Sequence, residues 1–173
     1  MRGVSSHSPG PADRVAPRPG QESVWDYPRP PRVEPSDRPV RIEFGGVVIA
    51  ESSRALRVLE TAGAPCWYLP PDDVRTDLLV DSNYRTLCEW KGRADHLDLL
   101  VGERRSRRAA WSYRDPLPGF ESIAGWIAFY AGRVDVATVA GETVTPQPGG
   151  YYGGWVTGDV VGPFKGEPGT EGW

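Results

Sequence analysis

Between Pro39 and Thr145 apolar and polar residues alternate with a period of two in a series of short runs, the pattern of half-buried strands. Val40, Ile42 and Phe44 alternate with Arg41 and Glu43, Gly45-Gly46 supplies a two-residue turn, and Val47-Val48-Ile49-Ala50 runs back. This stretch predicts a β-hairpin. Ala55-Leu56-Arg57-Val58-Leu59 and Cys66-Trp67-Tyr68-Leu69 predict two further strands on either side of a break at Gly63 and Pro65. Pro70-Pro71-Asp72-Asp73-Val74 has the composition of a helix start, with Asp72 as cap and Leu78-Leu79 on the buried side. It predicts the chain's longest helix, a short one. Strands are expected again over residues 84–91, 95–101 and 107–113, with a turn over 102–106, and over 125–130 and 134–139. Roughly eight short strands with tight turns make the chain mainly β and antiparallel, as two packed sheets or a partly open barrel.

The ends differ from this centre. Residues 1–38 hold eight prolines from Pro9 to Pro35 and few aliphatics, too little apolar surface to offset the entropy of ordering, so a largely mobile arm is expected. Within it Val24-Trp25-Asp26-Tyr27 marks residues 22–31 as a segment that docks, on the domain or on a second copy; a homodimer contact through the arms stays open. Residues 39–145 form the β domain. Residues 146–173 are rich in glycine and proline, and Tyr151-Tyr152-Gly153-Gly154-Trp155 and Val160-Val161-Gly162-Pro163-Phe164 give them the character of a strap over a surface.

Composition narrows the function classes. At 173 residues and 39% hydrophobic content the chain suits one globular domain. A formal charge of −3 argues against nonspecific partnership with nucleic acid or a membrane surface, which select a basic face. Arg104-Arg105-Ser106-Arg107-Arg108 reads as a solvated hairpin tip before it reads as a phosphate contact. Two cysteines make no disulfide framework. Met1 to Val15 lacks the apolar run of a secretory leader and no segment has the length of a membrane span, so a cytoplasmic protein is expected.

The candidate chemistry concentrates in Thr86-Leu87-Cys88-Glu89-Trp90-Lys91-Gly92 and Ala110-Trp111-Ser112-Tyr113. Of the 20 basic residues only Lys91 and Lys165 are lysine. On a strand Thr86, Cys88 and Trp90 share one face, and Trp111 and Tyr113 share another. If those faces meet, they wall an aromatic pocket for a flat or cationic guest, with ordinary core as the alternative. Strict alternation sets Lys91 opposite Trp90 unless a bulge at Gly92 re-aims it. As an ammonium Lys91 anchors a carboxylate or phosphate; desolvated, it becomes a base or imine-forming nucleophile and the candidate catalytic residue; paired with Glu89 or Asp95, it is an ordinary surface lysine. Cys66, Cys88 and His96 are too scattered for a zinc site, and no metal or cofactor is expected. His96, beside Leu97, Leu99 and Val101, is expected on the outer face and not as a partner of Cys88. No Walker or dinucleotide loop appears.

Five ordered blocks, Arg54 to Glu60, Tyr68 to Val74, Thr86 to Gly92, Ala110 to Tyr113 and Ile127 to Tyr130, closely resemble the bacterial domain of unknown function 427 family (DUF427) over residues 38–140. Gly153-Gly154-Trp155-Val156 and Val161 to Gly166 look like the tail of its longer members. The resemblance implies a β-tent fold, two antiparallel sheets with one short helix, whose relatives use cysteine-bound zinc or an aromatic cage for small molecules. This chain departs from the zinc pattern, carries Glu89 where the motif has proline, and lacks the Asp-x-Asp pair that the family's nucleotidyltransferase-like label would require. The readings that follow are a small-molecule-binding module with Thr86, Cys88, Trp90, Trp111 and Tyr113 around the Lys91 anchor for an anionic or nucleotide-like ligand, an enzyme using Lys91 with Cys88 or Asp81, or an interaction scaffold.

Overall fold

The computed structural model describes residues 14–173; the expectations for residues 1–13, a mobile start without a secretory leader, lie outside the described residues. The chain begins with β1 (Glu22–Ser23) and β2 (Arg32–Ser36), then the hairpin of β3 (Val40–Phe44) and β4 (Val47–Ser52). β5 (Ala55–Leu59) and β6 (Cys66–Leu69) precede three long strands, β7 (Leu79–Cys88), β8 (Gly92–Val101) and β9 (Arg104–Ser112). β10 (Ile127–Phe129), β11 (Val136–Val139), β12 (Glu142–Thr143), β13 (Thr145–Pro146), β14 (Trp155–Val156) and β15 (Val160–Val161) complete it.

Seven strands form one antiparallel sheet in the order β2-β5-β6-β10-β9-β8-β7, and four form a second in the order β12-β11-β3-β4. The mainly β fold expected from the alternation is present as two packed sheets. One face of the large sheet carries Trp67, Leu69, Leu97, Leu99, Ile127 and Phe129 onto Val40, Ile42, Phe44, Ile49, Ala137 and Val139 of the small one. Their burial removes the apolar face of each sheet from water and is the main stabilising term. The hairpin turn falls at Gly45-Gly46 as its sequence predicts, both glycines having positive φ (59° and 76°). At Gly45 a side chain would also press on Val101.

The expected helix is absent, which corrects the reading of Pro70 to Leu79. Pro71–Asp73 and Thr76–Leu78 make only single 3-10 turns. The backbone between them is claimed by the small sheet: Val74 bridges Ala50, and the Arg75 amide donates to the Ile49 carbonyl at 2.7 Å. Asp73 accepts from Ser52 Oγ and Arg54, tying this corner to the turn after β4, and Asp72 caps nothing. β7 then starts at Leu79, five residues before the expected strand, and ends at Cys88. A register shift between Asp81 and Arg85, with Asn83 at φ 59°, breaks the alternation that would have revealed it.

The N-terminal segment lies against the domain. Val24 and Tyr27 are buried with Leu59 and Val160, β1 pairs in parallel with β15, and β2 is the edge strand beside β5. The C-terminal segment sends Trp155 into the main core, where its indole stacks near Trp67 and donates to the Phe129 carbonyl at 2.9 Å. Among the described residues no helix is long and apolar enough to cross a membrane.

Candidate functional site

The second face of the large sheet builds the site. Side chains two apart share a face, so the pairings Tyr68↔Ala128, Ala128↔Trp111 and Trp111↔His96 align these four residues across β6, β10, β9 and β8. Val58, Tyr68, Trp111, Tyr113 and Ala128 are a buried aromatic cluster on that face, separate from the main core. Trp111 Nε1 donates to the Tyr68 hydroxyl at 3.0 Å, and the Trp111 ring lies 4.7 Å from that of Tyr130. These contacts fix the indole as a rigid floor.

Residues 147–165 return over this floor as a roof. A Cβ at Gly153 would overlap the Trp111 ring, and one at Gly154 would strike the Gln147 amide and the Ala64 carbonyl; only glycine permits so close an approach. Gln147 holds the roof to its surroundings: its Oε1 accepts from the Ala64 amide at 3.0 Å and its Nε2 donates to the Lys165 carbonyl at 2.8 Å. Tyr130 donates to the Tyr151 carbonyl, and the Lys165 amide donates to the Ala62 carbonyl. Between floor and roof lies a cavity of about 230 Å³.

Both lysines of the chain line it. Lys91 Nζ lies 5.7 Å from the Tyr113 ring centre, and Lys165 Nζ lies 5.2 Å from that of Tyr152. Every ion pair among the described residues is made by an arginine, so neither ammonium has a carboxylate within reach there. Glu60 is the one carboxylate on the lining.

Thr86, Cys88, Lys91, Trp111 and Tyr113 are brought together as cavity lining, while Trp90 is not part of it. Because β7 ends at Cys88, Glu89, Trp90 and Lys91 form the turn into β8 and escape strand alternation. Gly92, at φ 99°, follows with Leu117 pressed on it, and the Leu117 amide binds the Lys91 carbonyl. Lys91 therefore points to the cavity, and the half-buried Trp90 packs against the aromatic cluster from outside the hollow. Asp81 does not line the cavity: Arg85 bonds it and lowers its pKa to about 2.

His96 departs from its expected place on a solvated outer face. The face opposite Leu97 and Leu99 is the cavity floor, and His96 is only 4% exposed there. Its Nε2 shares a 2.8 Å hydrogen bond with Thr86 Oγ1, its ring stands edge-on to Tyr84, and Nδ1 has no partner among the described residues. Burial, reinforced by Arg133, Arg108 and Arg85, pushes its pKa down to about 4. Cys66 also lines the cavity, and burial raises its thiol pKa to about 11. Tyr68, Tyr113 and Tyr130 are likewise shifted upward by burial and stay neutral hydroxyls. Tyr68, His96, Tyr130, Tyr152 and Lys165 are among the lining residues that local pattern did not single out. For Lys165 alone a signal existed, the scarcity of lysine. No group of three or more His, Cys, Asp or Glu residues suited to a metal occurs among the described residues.

The arrangement suits retention of a flat molecule against aromatic rings with its acidic groups on ammonium ions. Comparison with known proteins adds one match: a family model described as a domain of unknown function (DUF427) fits residues 32–140, which hold the floor and Lys91. The roof lies beyond that span. No curated protein matches the chain.

Proposed function

The chain belongs to the DUF427 family, a domain of unknown function, and we propose that this member is a noncatalytic binding module for a small, flat, anionic molecule held between the aromatic floor and the C-terminal roof. The observation that carries this reading is the convergence of the only two lysines on one cavity, both without a carboxylate partner among the described residues, while arginines make the surface ion pairs. A charge-assisted hydrogen bond to such an ammonium contributes about 1.5 to 3 kcal/mol. Size supports the same class. A cavity of about 150 Å³ accommodates benzene, so 230 Å³ has room for a substituted ring.

The protonation states favour binding over catalysis. With its pKa near 4 the His96 imidazole is neutral at pH 7 yet a weak base, and Cys66 remains a thiol, so neither matches a nucleophile and base poised near neutrality. The test is a thermal-shift screen of aromatic carboxylates and phosphates on the full chain. A ligand at a hundred times its Kd stabilises the fold by about 2.7 kcal/mol. The reading expects an anionic stabiliser whose effect falls at least tenfold in affinity in Lys91→Gln. A screen without stabilisers, or an unchanged response in that variant, refutes it.

A further inference from the structure

The second lysine changes what the ligand must be. Lys165 sits outside the segment that the family model matches, on the C-terminal cover, whereas Lys91 is carried by the β7–β8 turn. Its backbone is fixed from both directions: its amide donates to Ala62, and its carbonyl accepts from Gln147 Nε2 at 2.8 Å. The following Gly166, at φ 107°, lies so close to the Pro148 carbonyl that any side chain there would collide with it, and its amide donates to Thr170 Oγ1 at 2.9 Å. The ammonium is thus delivered by a defined backbone and rests near the Tyr152 ring, as Lys91 rests near Tyr113. Tyr151 and Tyr152, which the sequence marked only as strap residues, line the same hollow.

We infer that the ligand carries two separate acidic groups on a single planar body, one for Lys91 and one for Lys165, with Lys165 acting as the specificity-determining residue that distinguishes dianions from monoanions. This rests on the binding reading above. Neither ammonium has a carboxylate partner among the described residues, and Glu60, the single carboxylate on the lining, makes no ion pair with either. A monoanion leaves one of them uncompensated in a space walled by low-polarity rings. An anionic group at each end compensates both, and the aromatic floor accepts the ring between them.

The experiment titrates the full chain with benzoate and with benzene-1,2-, 1,3- and 1,4-dicarboxylate by calorimetry at low salt; the three isomers vary the spacing between the two carboxylates. The expected result is that one dicarboxylate binds at least tenfold more tightly than benzoate, that Lys165→Gln removes this preference, and that Lys165→Arg retains part of it. A preference that survives Lys165→Gln in a folded variant overturns the assignment. Equal affinity for benzoate and all three dicarboxylates, lost in Lys91→Gln, also overturns it while the binding reading stands. Binding of none of the four acids overturns this inference, and the thermal-shift screen with its aromatic phosphates decides the binding reading separately.

Discussion

Lowering the pH from 7.5 to 4.5 protonates His96 in the unfolded chain well before it does so in the folded one, because the buried imidazole, facing Arg133, Arg108 and Arg85 with only Asp95 opposing them, has its pKa moved from 6.5 to about 4. Between those values the unfolded state binds more protons, so stability is complete above pH 6.5, falls as the pH drops, and levels off below about 4. At 1.36 kcal/mol per unit the full loss is about 3 kcal/mol, less than half of it gone by pH 5.5 and most of it by pH 4.5. The upper part of this window is well isolated. Asp73, Asp77, Asp81 and Asp135, held by arginines, have pKa values below the usual carboxylate range and titrate later. The only other histidine, His7, lies outside the described residues. Urea unfolding followed by tryptophan fluorescence at half-unit pH steps reads the slope directly. His96→Gln, which keeps a donor and acceptor beside Thr86 but cannot titrate, should be flat between pH 7 and 5 whatever its absolute stability. A wild-type curve flat over that interval, or a variant with the same slope, would refute the account of His96 as a neutral buried imidazole.

Gly153→Ala should force the roof off the Trp111 ring, costing about 1 to 3 kcal/mol as overpacking and speeding amide exchange through residues 147–155; unchanged exchange there would contradict the close approach. Arg57 is buried with its guanidinium on Glu34 at 2.7 Å and Glu22 at 3.1 Å, linking β5 to β2 and β1. Since both carboxylates remain partly hydrated, Arg57→Ala is expected to cost about 1 to 3 kcal/mol, through the lost charge-assisted bonds and packing of the stem. Chemical denaturation checks it, and a change below half a kcal/mol would remove Arg57 from the account of how the N-terminal segment is held.

The parts of this fold legible in the sequence are those whose geometry is local. Val40 to Ala50 announces its hairpin because alternation and Gly45-Gly46 sit next to each other, and Ala55–Leu59 and Cys66–Leu69 announce strands the same way. Pro71 to Leu78 misleads because its composition suits a helix start, whereas a distant edge at Ile49 and Ala50 claims its backbone. The site divides similarly. Thr86, Cys88 and Lys91 are neighbours in sequence and their grouping can be read, but the alternation predicts a strand that runs on to Lys91. Instead Cys88 pairs with Gly92 and the chain turns through Glu89, Trp90 and Lys91, which leaves Trp90 outside the cavity. His96 has the expected parity, and its error arises because the face opposite Leu97 and Leu99 is covered instead of open to water. Lys165 reaches the site through the return of the chain from Gln147, a long-range event with no local pattern.

Trp155 belongs to the core between the sheets, yet it stands two residues from Gly153, which covers the Trp111 ring. Swinging the whole cover aside would draw a large indole out of the protein interior and break its bond to Phe129. The cover is thereby anchored in the interior at one end, and its most exposed part is the tip at Tyr151.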